Sequence, residues 1–189
     1  EKWLNDVDVV NVSVTSDGCV VMLIATDRQG SGVSATFCGR VEVYSAPGGV
    51  KLSIIKLPNN MTNPRCVVQT ANKSLIISHG DFMTELHRIC EVNNEGKIVT
   101  SYGGSRGSGL GQLDCPVNIV LDSEERIIVA DSFNHRVLLL DRQLNIQRVL
   151  LSWSRHSPDV VPIGLFYNTQ MGQLMVLARS GHVEIYKMS

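Results

Sequence analysis

"GSGLGQLDCPVNIVLDSEERIIVADSFNHRVLLLD", residues Gly107–Asp141, runs from a glycine-rich loop into an apolar strand after Pro116, a polar turn at "SEE", a second apolar strand, and a third after "NHR". Its strands are rich in Val, Ile and Leu and are bounded by turn-forming residues, a pattern that suits short β-strands. The stretch is one copy of something repeated. "NPRCVVQTANKSLIIS" from Asn63 aligns without a gap on "CPVNIVLDSEERIIVA" from Cys115, a period of 52 residues that sets Pro64 on Pro116 and Leu75 on Ile127. "LHRICEVNNEGKIVTSY" from Leu86 echoes "HRVLLLDRQLNIQRVLL" from His135, and these supply a third and a fourth strand. "NVSVTSDGCVVM" from Asn11 and "PIGLFYNTQMGQLMVL" from Pro162 give two further copies.

No helical periodicity of useful length occurs in the chain. Four-stranded units repeating at roughly 40 to 50 residues define a β-propeller, whose blades bury their faces only against neighbouring blades. The reading is therefore all-β, one propeller domain over residues 1–189, with blades near residues 8–57, 62–102, 114–151 and 160–187. The last unit ends after its third strand, and a ring of more than four blades, with blades preceding Glu1, is expected.

The composition, 43% apolar and 19% charged over 189 residues, is that of an ordinary globular domain. A formal net charge of −1 gives no overall cationic field, so RNA would have to be held by a local basic patch. No apolar run approaches membrane-span length, and no membrane association is expected. The five cysteines are scattered and form no C-x-x-C pair, which suggests neither a zinc cluster nor a disulfide framework and points to mostly buried thiols in a reducing, cytoplasmic setting.

The Gly107–Asp141 copy resembles the NHL repeat. The residues that carry the resemblance are Leu113 with Pro116, Val129-Ala130-Asp131-Ser132 and Asn134-His135-Arg136-Val137. The other units are degenerate: the second keeps Pro64 and His87-Arg88 but reads "SHGD" in place of "VADS", and the first carries the insertion "DRQGSGVSATFCGR". NHL domains are usually six-bladed, which implies about two blades beyond these four. Degenerate blades around one good copy look most like the C-terminal domain of tripartite-motif (TRIM) proteins. That resemblance implies a non-catalytic module that selects a protein partner or ubiquitination substrate for a RING-type E3 ligase, with self-association of the parent, or else selects single-stranded or stem-loop RNA in post-transcriptional regulation.

Several site readings follow from residue types. "SYGGSRGSGLGQL", Ser101–Leu113, has five glycines in nine residues, but it runs into a strand and lacks a G-K-[ST] ending, so it reads as a structural turn and not a phosphate loop. His79, His135 and His182 fall at comparable places in successive blades and raise a metal reading, with a metal-dependent lyase or lactonase as the enzymatic alternative. His135 belongs to the repeat motif, however, together with Pro116, Asp131, Asn134 and Arg136, and its expected role is to fix the turn into the third strand. No catalytic residue, metal ligand or cofactor is assigned. The loops expected on one face carry Arg28, Phe37, Arg40, Phe82, Arg106, Phe133, Trp153, Arg155, His156 and Arg179, a mixture of arginine and aromatics that suits protein hot spots and stacked RNA bases alike. Asp27, Asp81, Glu85, Asp114 and Asp159 dilute the charge there and favour protein over RNA.

Overall fold

The computed structural model describes residues 8–29, 36–154 and 160–188. They form four antiparallel sheets in chain order. The first blade comprises β1 (Asp8–Val14), β2 (Val20–Gln29), β3 (Thr36–Tyr44) and β4 (Lys51–Lys56); the second β5 (Pro64–Gln69), β6 (Leu75–His79), β7 (Leu86–Val92) and β8 (Ile98–Ser105). The third has β9 (Pro116–Leu121), β10 (Ile127–Asp131), β11 (Arg136–Leu140) and β12 (Ile146–Ser152), and the fourth β13 (Pro162–Asn168), β14 (Gln173–Ala178) and β15 (Val183–Lys187). This is a four-bladed β-propeller arrangement, with three strands described in the last blade.

Strand periodicity explains the stacking. Successive side chains point to opposite faces, so each blade needs apolar residues at both odd and even positions. In β6, Leu75 and Ile77 pack with Val21, Leu23 and Val41 of the first blade, while Ile76 packs with Ile119, Ile127 and Val129 of the third. In β10 the next residue, Ile128, turns to Leu174 and Val176 of the fourth. The near-continuous apolar runs "SLIIS" and "RIIVA" are thus two-sided cores, each buried side chain contributing about 1.5–3 kcal/mol.

The innermost strands are latched blade to blade. Each is bulged just after its start, and in the first three blades the first residue beyond the bulge reaches the next blade. Asn11 Oδ1 accepts from the Val67 N–H at 3.0 Å, the Cys66 thiol contacts the Ile119 carbonyl at 3.6 Å, and Asn118 Oδ1 accepts from the Leu165 N–H at 2.9 Å. Turns repeat as well: Asn93, Asp122 and Asp141 each accept two backbone N–H bonds from the residues that follow. Asn63 and Cys115, one period apart, share a left-handed backbone with φ of 48° and 57°.

The stack has two uncovered faces. Leu177, Val183 and Ile185 of the fourth blade are 39%, 57% and 58% exposed, whereas Leu23, Val41 and Val43, at the same sheet positions of the first blade, are 0%, 0% and 5%. Val12, Val14 and Ile54 are exposed on the opposite face of the first blade.

Candidate partner-recognition face

The connections β6–β7 and β10–β11, together with the chain passing from one blade to the next, emerge at one end of the propeller. Arg136 and Asn134 organise them. Asp131, fully buried at the end of β10, accepts from the Asp114 N–H at 2.7 Å, from Asn134 Nδ2 at 2.8 Å and from Arg136 Nε at 2.7 Å. Asn134 Nδ2 also donates to the Gly107 carbonyl at 2.8 Å, and the Arg136 guanidinium donates to the carbonyls of Ser108 at 3.1 Å and Gln112 at 2.9 Å. The motif residues of the third blade therefore clamp the glycine-rich stretch. Pro116 opens β9, and His135 takes a left-handed conformation (φ 51°) with its N–H donating to the Ser132 carbonyl, closing the one-turn 3-10 segment Ser132–Asn134.

The glycine-rich stretch is not all loop. Gly103 and Gly104 lie inside β8, because this strand runs to Ser105, beyond the expected blade limit at 102. At Gly103 (φ 101°) a Cβ would stand 2.3 Å from the His87 carbonyl, so glycine is required there by close approach. The remaining turn is closed by Gly107 N–H to the Leu113 carbonyl at 3.0 Å and by Gln112 Oε1 accepting from the Gly109 N–H at 3.0 Å.

The second blade presents its own rigid loop. Asp81 accepts from the Met83 N–H and from Asn63 Nδ2, at 2.9 and 2.7 Å. The buried His87 ring donates through Nε2 to the carbonyls of Asp81 and Thr84 at 2.8 and 2.9 Å and accepts through Nδ1 from the Cys115 N–H at 2.8 Å. This framework projects Phe82 and Met83, 48% and 47% exposed, into solvent. The Arg106 N–H donates to the Glu85 carbonyl at 3.2 Å and ties this loop to the glycine-rich one, where Leu110 is also exposed.

Three of the expected face residues meet. The half-buried Phe133 ring has the Arg106 guanidinium 6.0 Å from its centroid and the Arg179 guanidinium at 5.8 Å. The three come from the second-to-third blade link, the third blade and the fourth blade. Arg106 is held by Asp114, Nε to Oδ1 at 2.9 Å, while Arg179 has no side-chain ion pair or hydrogen bond among the described residues. Phe82 stands on the β6–β7 loop of the same end. Trp153 is half-buried against the core between the third and fourth blades, its N–H donating to the His135 carbonyl at 2.8 Å. Phe37 is half-buried, with its N–H bound to Asn63 Oδ1 at 2.8 Å.

Arg40 stands apart from this cluster. It lies within β3, its Nε 2.6 Å from Glu42 Oε1 on the uncovered face of the first blade, with Lys51 Nζ 2.7 Å from the other carboxylate oxygen. Arg155 and His156 lie outside the described residues, as does the side chain of Arg28. Met83 and Leu110 of the same loops and Leu86 at the start of β7, all exposed and apolar, were not singled out by sequence reading.

The histidines do not converge. His79 ends β6 fully buried, with its Nε2 accepting from Arg88 Nε at 3.0 Å, and His182 sits in the exposed β14–β15 turn. Among the described residues no three His, Cys, Asp or Glu side chains are grouped to hold a metal ion. All five cysteines are free, and burial pushes the thiols of Cys66, Cys90 and Cys115 up to about 11. No helix among the described residues is long and apolar enough to cross a membrane.

The fold class is that of the β-propellers, compatible with a protein-binding module. Solved structures similar to the chain include a protein of unknown function from Bacteroides caccae, 14% identical, covering 94% of this chain and 72% of its own, with a TM-score of 0.57. Another is virginiamycin B lyase from Staphylococcus aureus, 13% identical over 95% of this chain and 70% of its own, TM-score 0.51. A functionally unknown protein from Desulfotomaculum acetoxidans is 14% identical over 95% and 69%, TM-score 0.54. At these identities the likeness is one of fold alone. No protein-family model and no curated protein sequence matches the chain.

Proposed function

We propose that this propeller is a non-catalytic recognition module that binds a protein partner through the end carrying Arg106, Phe133 and Arg179, working in the cytoplasm as the target-selecting part of a TRIM-like ubiquitin ligase. The observation that carries the reading is the convergence of two guanidiniums on one aromatic ring, at 6.0 and 5.8 Å, from three separate segments. Arginine and aromatic side chains dominate protein hot spots, and cation–π contacts hold them in fixed positions. Exposed Phe82, Met83 and Leu110 supply apolar area on the same loops. The TRIM assignment rests on the NHL-like motif of the third blade.

A binding role is favoured over a catalytic one by how the titratable groups are used. Both ring nitrogens of His87 and both oxygens of Asp131 are committed to the hydrogen bonds that hold the loops. RNA recognition by the same end is the second reading, favoured by the exposed Arg179 beside an aromatic face. The test is quantitative partner recovery from cytosol with the wild type and with Arg106→Ala/Arg179→Ala, followed by titration of each purified candidate. A protein whose binding the double variant loses supports the reading. Retention of a random single-stranded RNA pool at physiological salt, lost by the same variant, would replace it with the RNA reading.

A further inference from the structure

One position of the third strand sets the second blade apart from the other three. Opposite Val21, Ile76, Ile128 and Met175 of the second strands stand Val43, Glu91, Leu139 and Ile185. Three are aliphatic; Val43 and Leu139 are 5% and 3% exposed in blade-to-blade cores. Glu91 instead faces the third blade half-buried, with no ion-pair or hydrogen-bond partner among the described residues.

At this level the second and third blades part to leave a groove of about 700 Å³, with Ile76 and Ile127 as its floor and Glu91, Thr100, Glu125 and Arg142 on its walls. The other charges of the groove are already used. Glu125 accepts from the Ala71 N–H at 2.6 Å and lies 4.0 Å from Arg142, whose Nε donates to the Glu124 carbonyl at 2.7 Å. Among the described residues of the groove, Glu91 alone has a carboxylate to offer. The groove opens beside the β5–β6 and β9–β10 turns, the opposite end of the propeller from Phe82 and Phe133.

We propose that this groove is a second docking site, which takes an extended peptide segment of a partner protein carrying a lysine or arginine, its cation seated on Glu91. The Glu91 carboxylate, set beside the apolar floor of Ile76 and Ile127, is complementary in charge to a peptide cation seated in the groove. An extended chain is the fitting form because β8 is the outer strand of its sheet, bonded among the described residues only to β7, so its outer main-chain groups are open to pairing beside exposed Val99.

The test is panning of a displayed random dodecapeptide library on the immobilised protein, with Glu91→Leu and Glu91→Gln compared in parallel. Leucine is what the third blade carries at this position, and glutamine keeps the shape without the charge. The expected result is enrichment of peptides that contain a lysine or arginine, whose binding drops about tenfold or more in both variants. Arg106→Ala/Arg179→Ala should bind them unchanged, and Glu91→Leu should melt at or above the wild-type temperature. Failure to enrich peptides, enrichment without a cation, equal binding by Glu91→Leu, or a lower melting temperature for Glu91→Leu would overturn the proposal, the last by making Glu91 a structural residue.

Discussion

Acidification should weaken this fold through one residue, His79. Its ring is completely buried at the end of β6 and accepts a hydrogen bond from Arg88, so protonation would place a second cation against a guanidinium without water. Burial, and then the Arg88 charge, push the His79 imidazole down from 6.5 to about 3, only partly offset by the Thr62 carbonyl. The unfolded chain therefore binds a proton between these limits that the folded chain refuses. Stability contributed by neutral His79 is intact above the unfolded value of 6.5 and is lost progressively as pH falls toward 3. At about pH 5 the difference is roughly 1.5 pH units, about 2 kcal/mol, or a fall in Tm of about 4–8 °C for a domain of this size. The assay is thermal or urea unfolding at about pH 7 and about pH 5, for the wild type and for His79→Asn, which can still accept from Arg88 but does not titrate in this range. The variant should lose about 2 kcal/mol less than the wild type on acidification. Equal losses in the two proteins would refute the reasoning, since every other titrating group is common to both.

Arg136→Ala should cost about 3–5 kcal/mol in denaturant unfolding by leaving the Asp131 carboxylate buried without its cation, and should open residues 106–112 to limited proteolysis. Gly103→Ala should cost more than about 1 kcal/mol, because the added Cβ meets the His87 carbonyl in a backbone region that disfavours alanine; an unchanged melt would contradict the close approach. The two uncovered blade faces should drive concentration-dependent association in sedimentation, reduced by Val183→Glu/Ile185→Glu; a wild-type monomer at all concentrations would argue that these faces are harmless. Arg106→Ala/Arg179→Ala should leave the melting temperature within about 1 °C while abolishing partner binding, since both guanidiniums are exposed.

Much of the fold is legible in the sequence because a propeller writes its blade spacing into the chain. Pro64 and Pro116 open equivalent inner strands, and the apolar runs at Leu75 and Ile127 become equivalent second strands, as their alignment predicts. What the alignment obscures is register within the outer strand. Gly103 and Gly104 read as loop because glycine is poor in strands, yet β8 holds both, and at Gly103 a side chain would strike the neighbouring strand. The site was legible only as types of residue on loops. That Arg106, Phe133 and Arg179 meet depends on the approach of three segments far apart in the chain, whereas Arg40 is drawn away by Glu42, its neighbour two residues on along β3. Glu91 gave no signal, since a charged residue in a strand next to a turn looks like ordinary solvent-facing polarity until its repeat mates Val43 and Leu139 are seen to be buried.

The most direct test of the recognition face is photocrosslinking from position 82, with benzoylphenylalanine in place of the exposed Phe82, in cells that carry the full-length protein. The account predicts crosslinks to a discrete protein, lost when Arg106→Ala/Arg179→Ala is added. Crosslinks only to RNA, or protein crosslinks that persist undiminished in the double variant, would contradict it.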